Sequence, residues 1–494
     1  MSDMMGSLKK QMEGTVTLRR SYGIVAFLVF AGLTALTVYH VNQLGMTNWR
    51  IPIIMISFVW LVLIIVAAHA NRPATNNPPK SADGMTAAVI TVFNEDPVTF
   101  RKMLDTLDIQ RFRLKTVIVV NDGSYTTTVE IDDRYPEGHP RREVEVQHKD
   151  DSLREIFEDW KRQTRIRDAV YHYQPNAGKR HAQKWAFDLL RGRSIAEVPN
   201  YIVTIDSDTI LDQNAIYNGL RPFDDDKVMS VAGLLVGLNA SENLLTRAIN
   251  LGFESSFMNG RAAWSTFKSV AVNCGGLAIY RSNVVFTHLH EYTNQTVWGR
   301  PANSGDDRIM TAFAAMHGKT VFQEDCVGYT LLPNNRKHLT KQRCRWWRSF
   351  WWGGVWLLKR LPITRMIWWL VLSQYVTFVL YSVVFPTVLI IDPIIHQKLP
   401  WEFFVYVFFL SYLRTARTLQ IKRPDVSTGT QILTYLWGSP ANTLINLWLC
   451  TALQWYGLFT FGNTGWSTRG QGAEVGVAGG NTDGDTVVQR RRTP

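Results

Sequence analysis

The sequence predicts an α/β protein whose mostly parallel sheet forms a polar middle domain, embedded between transmembrane helices and amphipathic helices that lie in the membrane interface. Three observations carry that prediction. The apolar residues, 46% of the 494, gather at the two ends and leave residues 72–350 mixed and polar. Within that middle, short apolar runs alternate with helical stretches from residue 87 onwards. Beyond residue 342, tryptophan and arginine crowd together ahead of further apolar runs.

Residues 1–71 contain two apolar runs, 22–41 and 51–70. Each reaches the ~20 residues that a helix needs to cross a hydrocarbon core of ~30 Å. A cleaved signal peptide is the competing reading of the first run, but its length and the second run directly behind it favour a span. Lys9, Lys10, Arg19 and Arg20 precede the first run, whereas Arg50 alone is basic in the loop between the two. The positive-inside rule then sets the N-terminus, and after two crossings the middle domain, in the cytosol.

Residues 72–84, rich in Pro and Asn, read as a linker. The middle domain covers 85–340. Apolar runs at 87–92 and 116–120 flank a helical stretch at 97–107, a strand–helix–strand opening that implies a parallel sheet. The charged section 130–167 reads as surface helices and loops. A third buried strand, 201–205, ends in Asp206-Ser207-Asp208.

Residues 341–362 read as an amphipathic interface helix, since 342–361 mix five Trp with five Arg or Lys. Residues 363–470 read as C-terminal membrane segments. The run 366–391 is long enough to span, and 401–413 ends in Arg414, Arg417, Lys422 and Arg423, a cytosolic signature. The run 432–461 is interrupted by Gly438-Ser439-Pro440 and reads as a span or as a bent pair of helices inserted from the cytosolic side. Four spans plus a bent insertion are expected. Residues 471–494, Gly-rich and carrying Arg490, Arg491 and Arg492, are expected to form a disordered cytosolic tail.

Charge and cysteine usage narrow the class. Lys+Arg 53 against Asp+Glu 41 gives a net charge of +12. The positive residues lie largely beside apolar segments, which points to anionic membrane lipid rather than nucleic acid as the partner. Cys274, Cys326, Cys344 and Cys450 are scattered without CxxC spacing, so neither a disulfide framework nor a zinc site is expected.

Five motifs bear on chemistry. Asp206 and Asp208, at i and i+2 on the exit of a buried strand, can converge in the crevice at the carboxyl end of the sheet. There they suit a hard cation such as Mg2+ or Mn2+ that bridges carboxylates to phosphates; an acidic strand-end loop is the plainer alternative. Asn121-Asp122-Gly123-Ser124 ends another apolar strand, where a carboxylate can hydrogen-bond a base or ribose, although alone it is an ordinary turn. Gly178-Lys179-Arg180 opens a helix and suits phosphate oxygens, or is equally a solvated helix start. Ser304-Gly305-Asp306-Asp307-Arg308 offers paired carboxylates, one of which can act as a general base; an N-cap with first-turn acids is the structural reading. In Gln342-Arg343-Cys344-Arg345-Trp346, Trp suits sugar rings and Arg suits phosphate, yet a membrane surface explains both.

Taken in this order, VNDGS, GKR, DSDT, NCGGLAIYR, SGDDR and QRCRW, with Trp466-Ser467-Thr468-Arg469-Gly470 behind them, resemble the family-2 processive glycosyltransferases over nearly the whole chain. The hyaluronan synthases and rhizobial chitin-oligosaccharide synthases are the nearer groups and cellulose synthase the more distant. The resemblance implies a GT-A-like catalytic domain that takes UDP-sugar donors, a growing polysaccharide acceptor and Mg2+ or Mn2+. It implies a multi-pass plasma-membrane enzyme with a cytosolic catalytic domain, inverting the anomeric centre and passing a β-linked polymer through its own channel. It assigns Asp122 to the uridine, Asp206 to the nucleotide and, with Asp208, to the metal. Lys179 and Arg180 lie near the diphosphate or acceptor, and Asp307 is the base. Gln342, Arg345 and Trp346 close over the diphosphate and stack on the acceptor sugar, while Trp466 and Arg469 belong to a segment covering the nucleotide. The stretch Asn273-Cys274-Gly275-Gly276-Leu277 lacks the Pro often found there in hyaluronan synthases, and the second Trp of QRCRWW is unusual, which leaves the polymerised sugar open. A hyaluronan-type polymer from UDP-GlcNAc and UDP-GlcA is expected, with a chitin-like or glucan homopolymer as the alternative. A non-catalytic membrane protein is disfavoured by the intact acids, and a glycoside hydrolase by the phosphate-facing cations.

Overall fold

The computed structural model describes residues 14–43, 50–131, 134, 143–397 and 401–463. Helix α1 (Arg20–Gln43) and helix α2 (Arg50–Ala70) follow the two N-terminal apolar runs. Among the described residues, two helical stretches are long and apolar enough to cross a membrane, Arg20–Tyr39 and Met366–Ile395.

The middle domain is built on an eight-stranded sheet. Its strands are β1 (Thr86–Val92), β2 (Thr116–Asn121), β3 (Asp168–Tyr173), β4 (Tyr201–Asp206), β5 (Ile210–Leu211), β6 (Val228–Gly237), β7 (Leu277–Arg281) and β8 (Lys319–Thr330). Their spatial order is β3-β2-β1-β4-β7-β6-β8-β5. The four strands from β3 to β4 are parallel, as the early strand–helix–strand pattern requires. β7 then runs antiparallel to both β4 and β6, and β5 antiparallel to β8. β6 and β8 pair in parallel again, so the sheet is mixed with parallel pairings in the majority. Every residue of β1 and β2 is buried, and strands covered on both faces read as continuous apolar runs. That explains why these strands stand out in the sequence.

Flanking helices close both faces. Pro97–Asp108 buries Phe100, Met103, Leu104 and Leu107 at helical spacing. Its start is set by Asp96, which accepts from the Thr99 N–H at 2.9 Å, and by Pro97 in the first turn. The section 130–167 departs from the expected helices and loops. Tyr125–Ile131 pairs antiparallel with Glu143–Lys149, and among the described residues of the section only Ser152–Gln163 is helical.

Four further helices shape the crevice above the sheet: α3 (Lys179–Arg191), α4 (Leu244–Ser255), α5 (Asp306–His317) and α6 (Arg336–Arg360). α4 passes through a π-helical turn, Ser256–Arg261, into Ala262–Thr266. α6 begins at Arg336, capped by Asn335 onto the His338 N–H, so the expected boundary at residue 341 falls inside it. Nor does α6 simply lie on a membrane surface, because Phe350, Trp352 and Leu357 are buried and Trp352 packs into the cluster beneath the sheet.

The C-terminal segments are α7 (Met366–Pro386), α8 (Trp401–Thr415) and α9 (Thr428–Ile445), which runs through a π-helical turn into Thr451–Thr460. Gly438-Ser439-Pro440 does not end α9. Pro440 supplies no N–H to the carbonyl of Leu436 four residues back, and the Tyr412 hydroxyl of α8 donates to that carbonyl at 2.7 Å instead. Arg417 and Arg423, expected as surface charges of cytosolic sign, are buried. Arg417 pairs with Glu324 at 3.0 Å and Arg423 with Asp425 at 2.7 Å.

Candidate active site

A cavity of about 430 Å³ opens where β1, β4 and β8 end, roofed by α6 and bounded by α4 and α5. β4 ends at Asp206 and the turn behind it carries Asp208, both of which line the cavity, while the Ser207 hydroxyl between them donates to Glu95 at 2.6 Å. The turn that follows is closed by the Thr209 N–H, which donates to the Asp206 carbonyl at 3.0 Å, and both aspartates line one space. The Asp208 carboxylate accepts from the hydroxyls of Thr209 (3.3 Å) and Thr330 (3.2 Å).

Lys179, in the first turn of α3, joins two acids at once: its Nζ lies 2.7 Å from Asp206 Oδ1 and 3.0 Å from Asp306 Oδ2. Burial alone would favour loss of its proton, but the two carboxylates hold its pKa above the usual range. Gly275 comes close enough that an added Cβ would lie 3.3 Å from Lys179 Nζ and 3.5 Å from Asp206 Oδ2, so the backbone there forms part of the wall.

α5 begins at Gly305, whose φ of +76° is a left-handed conformation that glycine adopts without strain. A side chain there would also meet Ser349 of α6 at 2.9 Å. This turn places Asp306 and Asp307 at the cavity with different surroundings. Burial raises the pKa of Asp306, but the Lys179 ammonium outweighs it and holds the group below the usual carboxylate range. Burial and then the charge of Asp306 push Asp307 upward. Neighbouring carboxylates driven apart in this way suit one for a structural ion pair and the other for proton transfer.

From α6, Gln342, Arg345 and Trp346 line the same cavity. The Trp346 ring lies nearly parallel to Phe253 of α4, with centroids 6.3 Å apart, and carries the Arg343 guanidinium 4.6 Å from its own centroid.

Two predicted residues stand elsewhere. Asp122 accepts from the Gln174 side chain and from the Ala177 and Gly178 N–H groups at 2.8–3.0 Å, so it anchors the loop that leads into α3. Arg180 is buried and donates to the carbonyls of Tyr292 and Ser304 and to Gln295, away from the cavity; it braces the loop ahead of Gly305 instead of facing phosphate. Successive side chains leave a helix start about 100° apart, and here Lys179 and Arg180 take different directions. Trp466 and Arg469 lie outside the described residues. Glu95, Phe253 and Arg261 line the cavity without having been anticipated. Glu95 follows a buried strand just as Asp122 and Asp206 do, and that was its available signal; the other two come from helices that carry no motif.

The donor set fits a hard divalent cation. Asp206 and Asp208 present oxygens only, and among the described residues no group of three or more His, Cys, Asp or Glu side chains could hold a metal. A Mg2+ or Mn2+ ion here would complete its shell with phosphate or water oxygens, as such ions commonly do.

A family model, Glycosyltransferase like family 2, matches residues 83–349. A hyaluronan synthase of Streptococcus pyogenes serotype M3 is 30% identical over 417 residues, covering 84% of this chain and 90% of that protein. An N-acetylglucosaminyltransferase of Rhizobium sp. (strain N33) is 26% identical over 77% of this chain and 76% of its own. Among solved structures, a mannosyltransferase from Pyrobaculum calidifontis in complex with GDP-Man and Mn2+ is 15% identical, with a TM-score of 0.43 over 87% of this chain and 98% of that one.

Proposed function

The chain belongs to glycosyltransferase family 2, and from that premise we propose that it is a processive, inverting β-glycosyltransferase that polymerises sugars from UDP-sugars and passes the product across the membrane. The observation that carries this reading is the single cavity in which Asp206 and Asp208, Asp307 and Trp346 face one another, and whose lining continues to Arg414 and Asn446 of the C-terminal helices.

In this reading Asp307 accepts the proton of an acceptor hydroxyl as that oxygen bonds to the anomeric carbon of the donor. The bond from that carbon to the diphosphate breaks, and UDP leaves with the electron pair. Trp346, backed by Phe253, gives the acceptor ring a flat apolar face. Lys179 keeps Asp206 and Asp306 in place, and Gln342 and Arg345 close over the diphosphate. A divalent cation held by Asp206 and Asp208 supplies charge neutralisation for the leaving diphosphate. Membrane crossing by α1 and α7 fits their apolar exposure, where Leu28, Leu36, Val376 and Val383 face outward; in water such a surface would be a liability. A catalytic domain on the cytosolic side of the plasma membrane follows from the basic residues flanking α1.

A hyaluronan-type product from UDP-GlcNAc and UDP-GlcA is favoured by the streptococcal relative; a chitin-like homopolymer is the second reading, favoured by the rhizobial one. Membranes containing the protein should make polymer only when both donors are supplied, and polymer from UDP-GlcNAc alone would replace the first reading with the second. Asp307→Asn should lower synthesis by at least about 10²-fold while UDP binding persists; undiminished synthesis would refute the base.

A further inference from the structure

We infer that the side of the cavity lined by Arg261, Arg308 and Arg414 binds the carboxylate of an acidic sugar in the acceptor chain, an inference that rests on the proposed polymerase reading. The charges in the cavity are segregated. Asp206, Asp208 and Asp306 stand toward the strand ends, with Lys179 engaged by two of them. Around Asp307 the lining turns basic, and among the described residues neither Arg261, Arg308 nor Arg414 forms an ion pair with a carboxylate.

The local geometry leaves these groups short of an anion. Arg261 ends the π-helical turn Ser256–Arg261, and such turns recur where a helix has to redirect a functional side chain. Its Nε donates to the Val272 carbonyl at 3.0 Å, and its guanidinium lies 4.0 Å from the centroid of the Phe257 ring, which fixes its orientation. The Arg308 stem packs on Gly353, where a Cβ would lie 2.6 Å from its Cδ, and its buried Nε has no hydrogen-bond partner. Arg308 is close enough to disfavour the charge of Arg261, and Asp307 is the acidic neighbour of both. Asp307 is a poor counter-ion, because its own proton affinity is raised by burial and by Asp306. Arginine keeps its proton even when buried, so an unpaired pair is relieved by an anion arriving from outside. Guanidinium forks match a planar carboxylate in two-point contact.

The position relative to Asp307 selects the source. The donor diphosphate belongs beside Asp206 and Asp208, whereas Arg261 lies beside Cys274 and Asp307, the base that meets the acceptor hydroxyl in the proposed reaction. An acceptor bearing a uronate satisfies these arginines; a neutral chain leaves them unpaired.

The test uses full-length protein in detergent or nanodiscs, elongating two soluble acceptors with UDP-GlcNAc and UDP-GlcA supplied together: a chito-oligosaccharide and an oligosaccharide of equal length carrying alternate uronates. The unmodified protein should show a KM about tenfold lower for the uronate acceptor, and Arg261→Gln should erase that ratio, the size expected for losing one charged hydrogen-bond pair. Arg261→Lys, which keeps the charge, should retain part of it. An unchanged ratio in Arg261→Gln, or no preference in the unmodified protein, overturns the inference while leaving polymer synthesis from paired donors intact. A raised donor KM with an unchanged acceptor ratio assigns the arginines to the diphosphate and likewise overturns it. A protein that elongates neither acceptor fails the polymerase reading itself.

Discussion

Asp306 and Asp307 show how one bond of separation can give two carboxyl groups opposite tasks. Both are taken from water by the same loop, and burial raises the proton affinity of each. Only Asp306 reaches Lys179, at 3.0 Å, so only Asp306 is returned to the ionised state. For Asp307, burial and the repulsion of Asp306 outweigh the opposing pull of Arg308 and Lys179 and hold the group above the usual range. A general base acts when deprotonated, so a raised pKa removes it earlier as pH falls. The acid limb of the pH–kcat profile should therefore lie above the ordinary aspartate value of about 4. Activity that persists undiminished down to that value would assign the base elsewhere. The paired acids were legible in the sequence as a motif. Their division of labour was not, because it depends on Lys179, whose ammonium reaches them only once α3 and α5 are folded against the sheet.

At the scale of elements, legibility followed burial and locality. β1, β2 and β4 announce themselves as unbroken apolar runs because both faces are covered. The antiparallel placement of β7 is a matter of topology, and nothing in LAIYR distinguishes the two directions. Gly438-Ser439-Pro440 is the sharper lesson. Local propensity argues for a break, yet α9 continues because a partner helix satisfies what Pro440 leaves open. The Ser439 hydroxyl donates to the Tyr435 carbonyl at 2.6 Å, and the Tyr412 hydroxyl to the Leu436 carbonyl at 2.7 Å. Tyr412→Phe keeps the ring and removes only the donor. It should destabilise the helix pair by about 1–3 kcal/mol, the usual effect of leaving a buried carbonyl unsatisfied. The readout is a lowered thermal midpoint in detergent together with faster amide exchange around residue 440. A midpoint equal to that of the unmodified protein would show that water reaches the Leu436 carbonyl.

At the scale of the whole molecule, the question is what holds the membrane helices in register with the catalytic sheet. Glu324 lies in β8 and is completely buried, and three separate parts of the chain converge on it. Arg417, directly after α8, donates at 3.0 Å; Asn71, directly after α2, donates at 3.0 Å; and Arg20, which opens α1, stands 3.6 Å away. The N-terminal pair, the sheet and the C-terminal helices therefore meet at one carboxylate. Glu324 and Arg417 are 93 positions apart in sequence. That distance explains why Arg417 reads from sequence as one of several surface charges of cytosolic sign. A buried pair of this kind is a weak source of net stability, because desolvation opposes the attraction, but removing one partner strands the other. Arg417→Met should accordingly destabilise the fold by about 3–5 kcal/mol. Adding Glu324→Gln to that variant should recover part of the loss, since the stranded charge goes with it. Thermal midpoints of the four proteins in one detergent complete the cycle. If the double variant loses the sum of the two single losses, the residues act independently and the junction is held elsewhere. If it loses less, the two are coupled and Glu324 ties the C-terminal helices to β8, whose Thr330 end holds Asp208.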